Sequence, residues 1–222
     1  DYQLLYSQDA AITVSLFGLE GDFESISLTA SDAGLPETVV QKFPHLADLT
    51  AFTNAEEDMA LVPEILQGQI AVAAFKNDNL IDLAGLQIPG VLDDLYATDV
   101  PLGATFDDDG VPTLTVWAPT AQDVSLNLYA DSDPASDATV IEMSYDGESG
   151  TWGVTGETDW YGQYYTYNVT VFAPTEQAIV INEVTDPYSV SLSQNSLRTQ
   201  IIDLSDSQVM PDGWMSLEKP EL

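Results

Sequence analysis

Short runs in which apolar residues alternate with polar ones are the feature that most constrains the fold of this chain. Four such runs lie in its N-terminal part and form two pairs, each separated by turn residues: 12–16 with 26–28, and 69–75 with 80–83. Alternation with a period of two is typical of half-buried strands, and turn residues between two such runs predict a β-hairpin. We therefore expect two hairpins here.

Two segments of the same region show helical spacing instead. Apolar residues at this spacing follow Pro36, and a second group follows Pro89. Proline suits the first turn of a helix, where its missing amide hydrogen is not needed. The pattern predicts a β-rich first domain over 1–98 with a few short helices and an acidic loop at 56–58.

The rest of the chain alternates more regularly. Five runs are separated by turn residues: 114–116, 124–128, 140–141, 165–171 and 179–181. Short strands at this spacing predict a β-sandwich over 99–205. Residues 206–222 show no period and are predicted to be a linker. The predicted fold class is all-β, mainly β-sandwich, with two tandem sandwich-like domains and short helices in the first.

The charge balance is strongly acidic. There are 37 acidic side chains against four basic ones, which gives a formal net charge of -33. A nucleic-acid partner is excluded, because phosphate binding needs clustered Lys and Arg, and an anionic membrane surface would repel this chain. Neutral polymers and cations remain as partners. We interpret the acid excess as the mark of a marine or halophilic source.

Cysteine and long apolar segments are both absent from the sequence. Without cysteine there are no disulfides,. No apolar run approaches the roughly 20 residues that a membrane-spanning helix needs, so we expect no membrane insertion. The chain begins at Asp1 with a strand-like pattern, which fits a trimmed or processed domain better than a native start,.

Several motifs in the second region match one known family in order. Residues 114–129 read LTVWAPTAQDVSLNLY, and further motifs follow at 150–152 (GTW), 161–165 (YGQYY), 185–189 (TDPYS) and 211–214 (PDGW). This series resembles the family 48 carbohydrate-binding module, the sandwich that precedes the catalytic barrel in debranching and branching enzymes of glycoside hydrolase family 13. The close of the series resembles that of pullulanases specifically.

The first region agrees with this resemblance independently. Residues 35–46 (LPETVVQKFPHL) and 88–96 (IPGVLDDLY) are similar to the domain just before the family 48 module in pullulanases. The resemblance implies an accessory fragment from the N-terminal side of a secreted bacterial pullulanase, found outside the cell or at its surface. Its partner would be the downstream catalytic barrel of the same polypeptide, which is missing from the sequence. The parent enzyme would hydrolyse α-1,6-glucosidic bonds in pullulan, amylopectin or glycogen.

The sequence contains no candidate catalytic residues. Such enzymes use two carboxylates about 5 Å apart, and the family's site also includes an arginine beside the nucleophile and more than one histidine. This chain has one arginine, Arg198, and one histidine, His45, and neither lies in a barrel-strand context. A zinc site is excluded too, since His45 has no second histidine or cysteine as a partner.

Two acidic loops leave a structural role for calcium open. Residues 107–110 (DDDG) and 131–133 (DSD) place oxygen ligands at loop spacing, and calcium takes six to eight oxygens. Both sequences are also good turns between strands, and neither has the spacing of an EF-hand. Calcium is therefore a candidate here, and we expect no other cofactor.

Exposed aromatic rings that can stack on a sugar are the candidates for carbohydrate binding. These are Trp152, Trp160, Tyr161 and Tyr164, and the resemblance adds Asn195 as a counterpart of the module's sugar-contacting asparagine. The alternative for aromatic residues is a place in the core, which we favour for Trp117.

The resemblance also argues against the usual sugar platform. In glycogen-binding members of family 48, one tryptophan lies shortly before the Asp-Pro pair and another follows the second strand. The first position here is Glu183, and 130–136 contains no tryptophan. We therefore expect α-glucan to bind the isolated chain weakly or not at all. Two alternatives stay open: an autonomous starch- or glycogen-binding module, and an acidic, calcium-stabilised surface β-sandwich.

Overall fold

The computed structural model describes residues 4–6, 13–18, 26–77 and 79–218, and of 4–6, 13–18 and Met215 it describes the backbone alone. The chain divides into two compact units. The first comprises 1–97 with 171–180, and the second comprises 98–170 with 181–222. Among the described residues, no helix has the length and apolar character needed to cross a membrane.

The described residues of the first unit form one antiparallel sheet and three short helices. Its strands are β1 (Leu4–Tyr6), β2 (Thr13–Gly18), β3 (Ile26–Ala30), β4 (Thr50–Thr53), β5 (Ile70–Lys76) and β6 (Asn79–Gly85). They pair in the order β1-β4-β3-β2-β5-β6. The helices are α1 (Glu37–Lys42), α2 (Val62–Leu66) and α3 (Pro89–Tyr96), with 3-10 turns at Pro44–Leu46 and Glu56–Leu61.

The core of the first unit lies where α2 contacts the sheet. Its buried cluster contains Ile26, Leu28, Phe52, Ile65 and Val72. Ile65 comes from α2, and Val72 comes from β5, a strand hydrogen-bonded on both sides. Removal of these side chains from water stabilises the unit. Because α2 has only five residues and cannot persist alone, it depends on this burial,.

The second unit is a sandwich of two sheets. Its strands are β7 (Gly103–Phe106), β8 (Pro112–Trp117), β9 (Asp123–Tyr129), β10 (Thr139–Glu142), β11 (Ser144–Asp146), β12 (Thr151–Thr155), β13 (Tyr164–Ala173), β14 (Ala178–Val184) and β15 (Thr199–Gln200). Of β13 and β14, residues 164–170 and 181–184 belong to this unit. One sheet has the order β11-β12-β8-β7. The other has the order β10-β9-β13-β14, with β15 also paired to β13.

The register of β9 against β13 decides which side chains enter the core. Leu126 pairs with Tyr167 and Leu128 with Tyr165, and all four are buried. The residues between them, including Asn127, therefore point to the outer face of the same sheet. Leu114 of β8 joins this core from the opposite sheet.

The predicted fold class is confirmed, and so are both hairpins of the first unit as strand pairs β2–β3 and β5–β6. The turn predicted at Gly21-Asp22 lies outside the described residues, as does Ile12. The predicted acidic loop at 56–58 is wrong, because these residues open the 3-10 helix Glu56–Leu61. This 3-10 helix leads directly into α2, so its backbone hydrogen bonds extend those of a neighbouring helix,.

Candidate functional site

The outer face of the β9–β13–β14 sheet carries the polar side chains closest to the predicted sugar site. Tyr129 is the last residue of β9, and Tyr164 lies opposite it on β13. Glu183 lies near the end of β14 and Arg198 directly precedes β15. The strand order of this sheet thus brings together residues that are far apart in sequence.

Arg198 forms the centre of this face. Its guanidinium carbon lies 3.5 Å from the centroid of the Tyr129 ring. Its nitrogens donate to the backbone carbonyls of the loop between β9 and β10, at Asp131 (3.0 Å), Asp133 (2.7 Å), Pro134 (3.5 Å) and Ser136 (3.2 Å). With 6% of its surface exposed, this cation is buried and bound on one face by an aromatic ring and at its edge by carbonyls,.

Glu183 completes what we call the Arg198 cluster: Arg198, Tyr129, Glu183, Thr166 and the 131–136 loop. The Tyr129 hydroxyl and the Thr166 hydroxyl each donate to Oε1 of Glu183 at 2.8 Å. Burial raises the pKa of Tyr129, and the neighbouring Glu183 carboxylate raises it further, while Thr166 and Arg198 lower it. The cluster therefore holds the phenol in its neutral, hydrogen-donating form.

The loop before β15 holds Arg198 in place. The amide of Arg198 donates to Oγ of Ser193 at 2.9 Å, and the amide of Ser193 donates back to the carbonyl of Arg198 at 2.9 Å. Asn195, at the tip, is exposed and has a φ of 60°, a left-handed conformation that asparagine tolerates better than most residues. The predicted sugar-contacting asparagine thus lies three residues from Arg198.

Trp152 is not an exposed platform, so its prediction as a sugar-stacking residue is wrong. Its side chain is 6% exposed and belongs to the core between the two sheets. Its indole nitrogen donates to the carbonyl of Ala118 at 3.1 Å, and the Tyr145 ring lies 4.9 Å away. The pairing of Trp152 with Val116 of β8 directs the indole inward.

Trp160 is half-buried and packs against the same core. Its ring lies directly on the backbone of Gly156, so that a β-carbon at Gly156 would overlap the indole. One face of the ring is thereby closed to a sugar. This glycine is required by the close approach of the ring and not by its own φ.

Replacing Gly156 by alanine is expected to lower the free energy of unfolding of the second unit by about 1–3 kcal/mol, because the added methyl group displaces the Trp160 ring. All four tryptophans lie in the second unit, so urea unfolding followed by tryptophan fluorescence measures it. Gly147→Ala is the matched control, since its added carbon would lie 3.8 Å from the nearest atom. If Gly156→Ala lowered the free energy of unfolding no more than Gly147→Ala does, the close packing of Trp160 on Gly156 would be contradicted.

Tyr161 and Tyr164 are anchored to other parts of the chain. The Tyr161 hydroxyl donates to Oδ2 of Asp206 at 2.7 Å, and its ring contacts Phe106 edge-on at 5.8 Å. Tyr164 is half-buried between Tyr129 and Gln200 in the sheet. The five predicted residues thus do not form one platform, although Tyr164 and Asn195 both border the Arg198 cluster.

Asp186, in the TDPYS motif, is a buried carboxylate of the second unit. It is 2% exposed, and its Oδ2 accepts from the hydroxyls of Tyr165 at 2.6 Å and Tyr167 at 3.2 Å. Its Oδ1 accepts from the amide of Tyr188 at 2.7 Å, and its own amide donates to Oγ1 of Thr199 at 3.2 Å. This carboxylate is therefore bound within the core and is not accessible to a ligand.

The buried tyrosines predict a loss of stability in alkali. Burial raises the pKa of Tyr165, and Asp186 raises it further; burial likewise raises the pKa of Tyr167. The unfolded chain releases both protons near pH 10 while the folded chain retains them, so the free energy of unfolding falls as the pH rises above about 10. Urea unfolding between about pH 8 and 11 should show this fall. If the free energy of unfolding fell equally steeply with pH in the double variant Tyr165→Phe/Tyr167→Phe, these two tyrosines would not be the cause.

The acidic loops use their oxygens within the protein. Oδ1 of Asp107 accepts from the amides of Asp109 and Val111, at 3.0 and 2.8 Å. In the 131–133 loop, the backbone carbonyls of Asp131 and Asp133 accept from Arg198. Among the described side chains, no group of three or more His, Asp or Glu residues is placed to hold a metal ion.

Comparison with known families matches two consecutive segments of the chain. Residues 1–94 match the family described as the pullulanase N2 domain. Residues 101–189 match carbohydrate-binding module 48, the isoamylase N-terminal domain. The chain thus carries a segment similar to the pullulanase N2 domain, followed by one similar to carbohydrate-binding module 48.

Curated relatives place this region within much longer pullulanase chains. A pullulanase of Klebsiella pneumoniae is 40% identical over 208 residues, which cover 90% of this chain and 18% of that protein. Chloroplastic pullulanase 1 of Arabidopsis thaliana is 34% identical over 212 residues, covering 95% of this chain and 22% of that protein. The chain thus spans about a fifth of the length of these pullulanases.

Solved pullulanases share the fold. A crystal structure of apo pullulanase from Klebsiella pneumoniae has a TM-score of 0.83 and 34% identity over 97% of this chain and 24% of that one. A structure of Klebsiella pneumoniae pullulanase complexed with maltotriose also gives 0.83, with 33% identity over 97% of this chain and 21% of that one. The sandwich prediction and the family resemblance are both confirmed.

Proposed function

We propose that this chain is the accessory region of a debranching enzyme that hydrolyses α-1,6-glucosidic bonds in pullulan, amylopectin or glycogen. Support comes from the order of the two family matches and from relatives named pullulanase that are about five times longer. The reaction itself belongs to the part of such an enzyme that these two domains precede. The role of this region is to support that catalytic domain.

We further propose that the region acts through the linked catalytic domain and not by holding α-glucan at the usual position of the family. The Arg198 cluster carries this proposal. Glu183, at the position of one platform tryptophan, accepts two hydrogen bonds from its own sheet. The 131–136 loop, which lies in the region of the other platform tryptophan, is hydrogen-bonded to Arg198 through its backbone carbonyls. A sugar stacking there would have to displace a buried cation.

The rest of this face offers little for stacking. Tyr129 is 7% exposed beneath the guanidinium of Arg198. The large apolar side chains that project from the described part of this sheet are aliphatic, with Val140 62% and Ile181 69% exposed. Stacking on a pyranose ring needs a flat aromatic face, and these two branched side chains do not supply one.

The test compares the intact protein with a variant that lacks 1–222, assayed on pullulan and on a short branched maltooligosaccharide. If the region supports the catalytic domain by contact, its removal lowers the thermal stability of the protein. It also lowers kcat by the same factor for both substrates. If it binds polymer, KM rises for pullulan alone, because only the polymer reaches both sites. The absence of pullulan hydrolysis by the intact protein would overturn the proposed reaction.

We also propose that the enzyme works outside the cell or at its surface, where polymeric α-glucans are accessible. The acidic surface, with its net charge of -33, suits a saline medium,. Immunodetection in culture medium, cell-surface and cytosolic fractions tests this location, and detection confined to the cytosol would contradict it.

A further inference from the structure

The tail after β15 forms an apolar pocket. It has a volume of about 650 Å³ and is lined by Leu204, Ser205, Val209, Met210, Pro211 and Trp214. We call this the Trp214 pocket. The Trp214 ring is 58% exposed and Leu204 is 51% exposed. Apart from the Ser205 hydroxyl and the Trp214 indole nitrogen, the lining side chains are apolar.

The Trp214 pocket is held by the folded part of the second unit. Tyr161 binds Asp206 through its hydroxyl at 2.7 Å. The amides of Val209 and Met210 both donate to the carbonyl of Asp206 at 2.9 Å, and the amide of Trp214 donates to the carbonyl of Pro211 at 3.1 Å. These bonds give the tail a defined shape, so the apolar side chains are held together before any partner arrives.

An uncharged pocket contrasts with the rest of this chain. One residue in six is acidic, 37 of 222, yet no lining residue is charged, while Asp206 and Asp212 lie next to the lining residues in sequence. Apolar patches with a polar rim mark protein–protein contacts, and their cores are depleted of charge. A tryptophan at the centre also fits, since tryptophan is enriched among the residues that dominate binding energy.

The length of the relatives indicates what covers the pocket. This chain corresponds to about a fifth of each pullulanase, and the pocket lies at 204–214, beyond the family 48 match that ends at residue 189. We propose that the Trp214 pocket is the docking surface for apolar side chains of the domain that follows the family 48 module in the pullulanase chain. This inference rests on the proposed function, because that domain is the partner.

Two other occupants fit the pocket less well. A second copy of the chain would bring another net charge of -33 close, and this repulsion opposes association at low salt,. An α-glucan would need several polar groups to fix its hydroxyls. The lining side chains offer the Trp214 indole nitrogen and the Ser205 hydroxyl, and Ser205 already donates to Asp203 at 2.8 Å.

The test measures the exposure of Trp214 in the isolated chain and in the intact enzyme. The other tryptophans are buried or half-buried, so the emission of each form minus that of its Trp214→Phe variant isolates Trp214. In the isolated chain, the Trp214 emission obtained in this way should have its maximum at the long wavelength of a water-exposed indole and should be readily quenched by acrylamide. In the intact enzyme it should be blue-shifted and quenched several-fold less. Equal quenching in both forms would overturn the inference, as would a blue shift of the isolated chain that grows with its concentration.

A pair of variants gives a second readout. Trp214→Ser should lower the unfolding temperature of the intact enzyme but not that of the isolated chain, because the contact exists only with the following domain. Val140→Ser removes an apolar side chain that is 62% exposed elsewhere on the second unit and should leave both unchanged. An equal response of the intact enzyme to both variants would contradict docking. Pullulan hydrolysis by the intact enzyme is assayed separately, so the proposed function can stand even if the docking surface fails.

Discussion

Replacing Asp186 by alanine is expected to lower the free energy of unfolding of the second unit by about 4 kcal/mol. The Tyr165 and Tyr167 hydroxyls would lose their shared acceptor inside the core. Each buried polar group left without a partner costs about 1–3 kcal/mol, more when the lost partner is charged. Urea unfolding followed by tryptophan fluorescence measures the change.

The control removes the donors together with the acceptor. In the background Tyr165→Phe/Tyr167→Phe, the hydroxyls are gone, so Asp186→Ala should cost about 1–2 kcal/mol less than in the unmodified chain. An equal cost in both backgrounds would show that the aspartate acts through other contacts, such as the amide of Tyr188.

Replacing Arg198 by alanine is expected to lower the free energy of unfolding by about 3 kcal/mol. Hydrogen bonds to a charged group contribute about 1.5–3 kcal/mol each, and a cation over an aromatic ring contributes about 0.5–2 kcal/mol. These contributions do not add in full, because the 131–136 loop is mostly exposed and water can hydrate its carbonyls once Arg198 is gone. The same urea experiment tests this value.

Two variants separate charge from geometry. Arg198→Lys keeps the charge but loses the planar fork that reaches several carbonyls, so it should recover less than half of the loss. Lys42→Ala removes the same unit of charge from an exposed helix end of the first unit. It should change the free energy of unfolding of the second unit, which the tryptophans report, by less than about 0.5 kcal/mol. If Arg198→Ala behaved like Lys42→Ala, the Arg198 cluster would contribute nothing to stability.

The sequence predicted best the strands in which apolar and polar residues alternate over several positions. β9 and β13 are examples, since Val124, Leu126 and Leu128 alternate strictly and pair with inward residues of β13. β15 could not be predicted, because it has two residues and forms by pairing with β13. A local pattern cannot report a strand that exists through a distant partner.

The candidate site was predictable only in part for the same reason. The resemblance placed Glu183 where other family members are expected to have a platform tryptophan, but what Glu183 binds could not be predicted. Tyr129 and Glu183 are 54 residues apart, and Arg198 reaches a carbonyl 67 residues away. The one feature of the sequence that pointed to Arg198 was that it is the single arginine among 37 acidic residues. This feature did not indicate which residues Arg198 binds. Trp152 was misplaced because its direction depends on the register of β12 against β8.

Calorimetric titration of this chain with maltoheptaose and β-cyclodextrin, in high salt to screen its charge, tests the central claim most directly. If the Arg198 cluster fills the position that binds sugar in other family members, no saturable heat should appear up to millimolar ligand. Saturable binding that is lost in Tyr164→Ala or Asn195→Ala would contradict the claim, because it would show a working carbohydrate site beside the Arg198 cluster.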